Sequence, residues 1–184
     1  MNLNNLLESL NLDNNINLED IPELDLYMDQ VIQLFENKLG GNKRFEEDKI
    51  LTKTMINNYA KGKLLMDIKN KKYSKEHIIL MCFIYNMKGI LALSDIKLAL
   101  GDIVERYNKD ELNSEDIRAL YRIYLKGQER NTEDIKKEIN IDLNNLGKEF
   151  NSLESSEKKL LLSAMLVDKA NTYKKLAEKI LDSE

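Results

Sequence analysis

The stretch Leu51–Leu65, LTKTMINNYAKGKLL, decides how this chain folds and what it can touch. Thr52 suits a helix N-cap, because its side-chain oxygen can accept a hydrogen bond from a first-turn amide. Gly62 suits the other end. Helical spacing between them puts Ile56, Tyr59 and Ala60 on the inward face, with Met55 beside them. Lys53, Thr54, Asn57, Asn58 and Lys61 point elsewhere. So short a helix is marginal alone, and a neighbour must hold it.

The nearest neighbour precedes it. In IPELDLYMDQVIQLFENKLGG (Ile21–Gly41), Pro22 stands where a first helical turn accepts proline. Met28, Val31, Ile32, Phe35 and Leu39 then form one apolar helical stripe, which Gly40 and Gly41 end. A polar link, Asn42–Lys49, leads into the opening stretch. Downstream, LMDIKNKKY (Leu65–Tyr73) reads as a small β-hairpin around a Lys-Asn-Lys turn. Ser74 caps a helix that is apolar almost all round from Ile78 to Met87, the pattern of a buried helix. Ser94 caps another, with Ile96, Leu100, Ile103, Val104 and Tyr107 on one face.

Beyond Asn108 the pattern predicts three more helices. One starts at Ser114 with Ile117, Leu120, Tyr121 and Tyr124 inward; the next starts at Thr132 with Ile135, Ile139, Leu146 and Phe150 inward. Both open with acidic residues, where the helix dipole favours them. The last runs from about Ser156 to Leu181, and its stripe of Leu162, Leu166, Ala170, Tyr173, Ala177 and Ile180 has a period near 3.6, that of a bundle contact. Residues 1–20, rich in Asn and Leu, read as a short arm docked on a neighbouring subunit.

Composition bounds the function. A chain of 184 residues can bury about 70% of its unfolded surface, so it needs no metal or disulfide staple. One Pro and seven Gly argue against long disorder. A single cysteine, Cys82, excludes an internal disulfide and suits a reducing compartment. No basic-then-apolar leader opens the chain, and the longest apolar run, Ile78–Tyr85, is too short to span a bilayer. A cytoplasmic protein with no membrane partner is the expectation. The net charge is −4, but Lys43–Lys75 holds ten Lys and Arg against four Asp and Glu, a local +6, so the remainder carries −10. Such segregation lets one face approach a polyanion.

Other chemistry finds little support in the residues. One His and one Cys make no metal set. His77, in the first turn of an apolar helix, reads as structural, and Cys82 as a small core residue. KGKLL and LGGNK lack the phosphate-loop spacing. No nucleophile–base set stands out, so neither catalysis nor a cofactor is expected.

A helix, a turn, a second short helix with a polar outer edge and a basic hairpin make a winged helix-turn-helix, whose second helix enters the major groove. Asn57 or Asn58 can make the paired hydrogen bonds that mark adenine. Thr52 and Thr54 can reach phosphate or a thymine methyl, and Lys53 and Lys61 attract the backbone. Lys69, Lys71, Lys72 and the neighbouring Tyr73 would sit on flanking phosphates.

The stretch Leu51–Leu65, with KKYSKEHIILMCFIYNMKGILALSDIKLAL after it, resembles the MerR-type winged-helix pattern. That pattern runs Ser-x-Arg-Thr-Leu-Arg-Tyr-Tyr-x-x-x-Gly-Leu-Leu, then a wing, Tyr-Ser-x-Glu-x-Ile and a long apolar helix. Thr52, Ile56, Tyr59, Leu64 and Leu65 fall on matching positions without a gap. More closely, IPELDLYMDQV, LTKTMINNYAKGKLL and KKYSKEHI resemble domain-of-unknown-function family 1836, a bacterial group with a MerR-like character, over about Ile21–Leu100. The MerR pattern has Arg where Thr54 and Asn57 stand, Tyr at Asn58 and Gly at Lys63. Different bases or weaker phosphate clamping would follow. The carboxylate of Asp67 also falls near the wing.

The expectation is therefore a mostly all-α protein: a MerR-like winged helix-turn-helix with a minimal β wing over residues 21–108, then an acidic helical bundle over 109–184 that serves dimerisation. Function would be sequence-specific binding of double-stranded DNA by a homodimeric transcription regulator. A reading from another class is a non-catalytic helical protein–protein adaptor that keeps the fold without the DNA contacts. No converging polar set identifies a small-molecule effector.

Overall fold

The computed structural model describes residues 3–145 and 147–183, apart from the side chains of residues 3, 4, 139–145, 148 and 149. Helices dominate: α1 (Leu3–Ser9), α2 (Met28–Leu39), α3 (Lys53–Lys61), α4 (Lys75–Met87), α5 (Leu93–Asn108), α6 (Ser114–Asn145), α7 (Gly147–Ser152) and α8 (Ser155–Leu181). Two strands of two residues each, β1 (Leu26–Tyr27) and β2 (Lys72–Tyr73), pair antiparallel with Leu26 opposite Tyr73 and Tyr27 opposite Lys72. The chain divides into two compact units. One is Asn11–Gly127; the other joins Met1–Leu10 to Gln128–Glu184.

In the first unit α4 is the centre. Ile78, Ile79, Leu80, Met81 and Ile84 are all 0% exposed, as its unbroken apolar run predicts. Val31, Phe35 and Leu39 of α2, Ile56 and Tyr59 of α3, and Ile96, Leu100 and Val104 of α5 complete the same core. Each such side chain contributes about 1.5–3 kcal/mol by leaving water. The β1–β2 pair lies just before α2 and one residue before α4, so it clasps the starts of those two helices together.

Ser74 caps α4 in an unusual way. His77 Nδ1 accepts the Ser74 backbone N–H at 3.1 Å and lies 2.9 Å from its hydroxyl, while Nε2 lies 3.3 Å from Met66 O. The imidazole takes the place that Glu or Gln fills in a capping box. That fixes the neutral tautomer with the proton on Nε2, donated to Met66. Burial holds the His77 pKa below its ordinary value, despite the opposing hydrogen bond to Met66 and the nearby carboxylates of Glu76, Asp25 and Asp67.

Several expectations change. At the start of α5 it is Asp95, not Ser94, that reaches back, accepting the Ala92 N–H at 3.2 Å. The helices expected at Ser114 and Thr132 are one, α6. Gly127 costs about 1 kcal/mol in a helix interior without stopping it, and Thr132, Glu133 and Asp134 fit an interior as well as a start. Asn113 caps α6, accepting the amides of Glu115 at 2.8 Å and Asp116 at 3.2 Å. Ile117 and Tyr121 are buried, so the core of the first unit runs past the boundary expected at residue 108. Leu120 and Ile135, expected inward, are exposed, whereas Phe150 is half-buried. Ile139 and Leu146 lie outside the described residues. The second half of the expected arm belongs to this chain's own core: Ile16 is buried, and its carbonyl accepts the Tyr121 hydroxyl at 2.6 Å.

Candidate nucleic-acid interface

Helix α3 begins and faces as its residues dictate. Thr52 Oγ1 accepts the Met55 N–H at 3.2 Å, and Ile56 and Tyr59 point into the core. Lys53, Thr54, Asn57, Asn58 and Lys61 are exposed, and Thr52 is half-exposed. The polar edge expected of the stretch thus faces solvent as one surface. Behind it Lys88, at the end of α4, donates to Ile50 O at 2.9 Å and lies 3.8 Å from Met55 Sδ. That tie holds the entry to α3, and its burial depresses the Lys88 pKa.

The end of α3 differs from the expectation. Gly62 is in the right-handed region with φ −72°, and it is Lys63 that takes positive φ, 58°. The Lys63 N–H donates to Ala60 O at 3.1 Å and the Leu64 N–H to Tyr59 O at 2.9 Å, the two bonds of a Schellman motif. Lys63 therefore carries the left-handed conformation at the position where the MerR pattern has its glycine.

The basic turn is present, but its pairing is not that of a local hairpin. Asn70 and Lys71 both have positive φ, 54° and 59°, and the Lys72 N–H donates to Lys69 O at 3.0 Å, a type I′ turn. Beyond it Lys72–Tyr73 pairs with Leu26–Tyr27 instead of with Leu65–Ile68. The upstream arm is held elsewhere: the Asp67 N–H donates to Asn108 Oδ1 at 3.1 Å. Lys69 and Lys71 are exposed at the turn. Lys72 lies over the Tyr27 ring, 5.1 Å from its centroid. Tyr73 is a correction to the expected phosphate contacts. It is 3% exposed and packs edge-on against His77 at 6.0 Å, because its place in the β clasp turns it toward α4.

Electrostatics were overstated by counting along the chain. Lys43 pairs with Glu36, Lys53 with Asp29 and Lys75 with Glu23, all carboxylates outside the Lys43–Lys75 window. These pairs halve the +6 excess. Lys75 is itself buried in a network in which Arg118 joins Glu23 at 3.1 Å and Glu76 at 2.8 Å. No sequence signal marks it, since its members lie far apart in the chain. Among the described residues, no group of three or more His, Cys, Asp or Glu could hold a metal ion, and no helix is long and apolar enough to cross a membrane.

A mostly helical unit with a two-stranded clasp and an exposed polar edge on a short capped helix is the class of protein defined here. Residues 16–124 match the family described as Domain of unknown function (DUF1836), more than half of the chain, and the protein belongs to that family. Comparison with curated proteins and with solved structures returned no match.

Proposed function

We propose that the protein is a sequence-specific, double-stranded DNA-binding transcription regulator, with α2, α3 and the Lys69–Lys72 turn acting as a MerR-like winged helix-turn-helix. The observation that carries this reading is the two-sidedness of α3: Ile56 and Tyr59 are buried while Lys53, Thr54, Asn57, Asn58 and Lys61 are exposed. In the major groove, Asn57 or Asn58 reads adenine and Thr54 meets phosphate or a thymine methyl. Lys53, Lys61, Lys69 and Lys71 neutralise phosphates, each adding about 0.9 to the slope of log K against log salt.

The protein works as a homodimer in this reading, which presents two reading helices to two half-sites. On α8, where no residue is buried, Leu166, Tyr173 and Ile180 are 46%, 64% and 63% exposed and recur every seventh residue. A second copy of α8 covers that seam. Sedimentation of the wild type as a dimer, and of Tyr173→Glu/Ile180→Glu as a folded monomer, is the expected outcome.

The adaptor reading draws support from the halved basic excess and from Lys53 already being paired. Fluorescence titration with random duplex DNA, followed by selection of bound genomic fragments, separates the two. DNA binding that weakens steeply with salt, and loss of operator binding in Lys53→Ala/Asn57→Ala/Asn58→Ala with unchanged helical circular dichroism, is expected. Operator binding that survives the triple replacement removes α3 from the role of reading helix.

A further inference from the structure

We infer that the cleft between the end of α3, the 65–68 segment and α5 binds a small organic anion with an apolar body, a monocarboxylate being the simplest case. Its volume, about 510 Å3, lies within the roughly 300–1,000 Å3 of small-molecule sites. Leu65, Met66 and Val104, all buried residues, supply an apolar lining. Lys63 and Lys97, both exposed residues, also line the cleft, so each has a cationic side chain at its edge. Lys109 and Glu105 line it too, but they pair with each other across one turn of α5. That leaves two ammonium groups against the one carboxylate of Asp67. An anionic head over an apolar body matches this distribution.

Two features show a cleft held open by the fold. Its lining residues are tied down, the Asp67 N–H to Asn108 Oδ1 at 3.1 Å, both of them in the lining, and Met66 O to His77 Nε2 at 3.3 Å. Gly101, inside α5, lines the cleft, and a Cβ built there would meet nothing within 4 Å. A glycine in a helix interior costs about 1 kcal/mol relative to alanine, and packing does not demand this one. Its missing side chain keeps the cleft wide. Lys63 adds a second local cost at the rim, its positive φ.

The site stands independently of DNA binding, and its test uses no DNA. The probe is 8-anilinonaphthalene-1-sulfonate, an apolar anion that fluoresces on leaving water, titrated into the full-length protein, with octanoate and octylamine as competitors. Saturable binding of one dye, displaced by octanoate and not by octylamine, is expected. Gly101→Leu fills the open space at a position where it favours the helix, so the variant should fold at least as stably and bind the dye about tenfold more weakly. Lys63→Gln/Lys97→Gln should weaken octanoate competition while leaving thermal stability unimpaired. Wild-type dye binding by Gly101→Leu would place the dye elsewhere, as on the exposed side chains of α8, and overturn the assignment. Equal displacement by octylamine would overturn the anionic class.

Discussion

The ammonium of Lys53 lies 2.7 Å from the carboxylate of Asp29, tying the first residue of α3 to the first turn of α2. Both side chains are mostly exposed, so the pair contributes only about 0.2–1 kcal/mol. It matters to the proposed DNA-binding function, in which a phosphate would have to compete with Asp29 for Lys53. Asp29→Asn should raise DNA affinity by at most about fivefold and steepen the salt dependence. Lys53→Ala should shallow the salt slope by about 0.9. Salt titrations of the two variants give both numbers, and an unaltered slope in Lys53→Ala would remove that residue from the interface.

Base reading predicts a different signature. If Asn57 or Asn58 pairs with adenine as proposed, replacing that side chain should cost about 1–3 kcal/mol on the selected operator and little on random duplex. Competition between the two duplexes measures the difference. Equal losses on both would mean that these amides touch only the backbone.

Lys63 holds the left-handed conformation at the Schellman position with φ 58°. Glycine adopts it without the Cβ clash, so Lys63→Gly should stabilise the protein by about 1 kcal/mol. That corresponds to a rise in Tm of about 2–4 °C for a chain of this size. A fall in Tm would show that the lysine side chain contributes more than the backbone conformation costs.

Arg118 lies between Glu76, which is 4% exposed, and Glu23. Arg118→Met leaves the Glu76 carboxylate buried without its cation. The cost should be about 2 kcal/mol, below the roughly 3–5 kcal/mol of a fully buried pair because a quarter of the Arg118 side chain meets solvent. Adding Glu76→Gln should recover part of the loss. Urea denaturation of the two singles and the double closes the cycle, and simple additivity would contradict the coupling.

Protonation of His77 opposes folding. Its folded pKa lies below its ordinary value, because burial disfavours the imidazolium. The unfolded chain therefore binds the proton more readily. Its contribution is complete above about pH 6.5, the unfolded value, declines as pH falls below it, and levels off under the folded value. His77→Gln keeps an acceptor for the Ser74 amide and removes the titration, so its urea midpoint should vary less between pH 5 and 7. Identical slopes for both proteins would assign the pH dependence to other groups.

Local patterns were legible in the residues. The stripe of α2, the cap and inward face of α3, the burial of α4 and the basic turn at Lys69–Lys72 each depend on neighbours within a few positions, where periodicity and capping chemistry act. The exposed edge of Lys53, Thr54, Asn57, Asn58 and Lys61 follows from the same rule, because burying Ile56 and Tyr59 sends the rest of a nine-residue helix outward. What needed the tertiary structure joins residues far apart in sequence. Strand β2 chose Leu26–Tyr27 over the nearer Leu65–Ile68, Tyr73 turned inward, and carboxylates from outside the basic window halved its charge. Periodicity reports which face of an element is apolar. Which element covers that face, and which carboxylate reaches which ammonium, is settled only when the whole core packs and each buried or paired group has its partner.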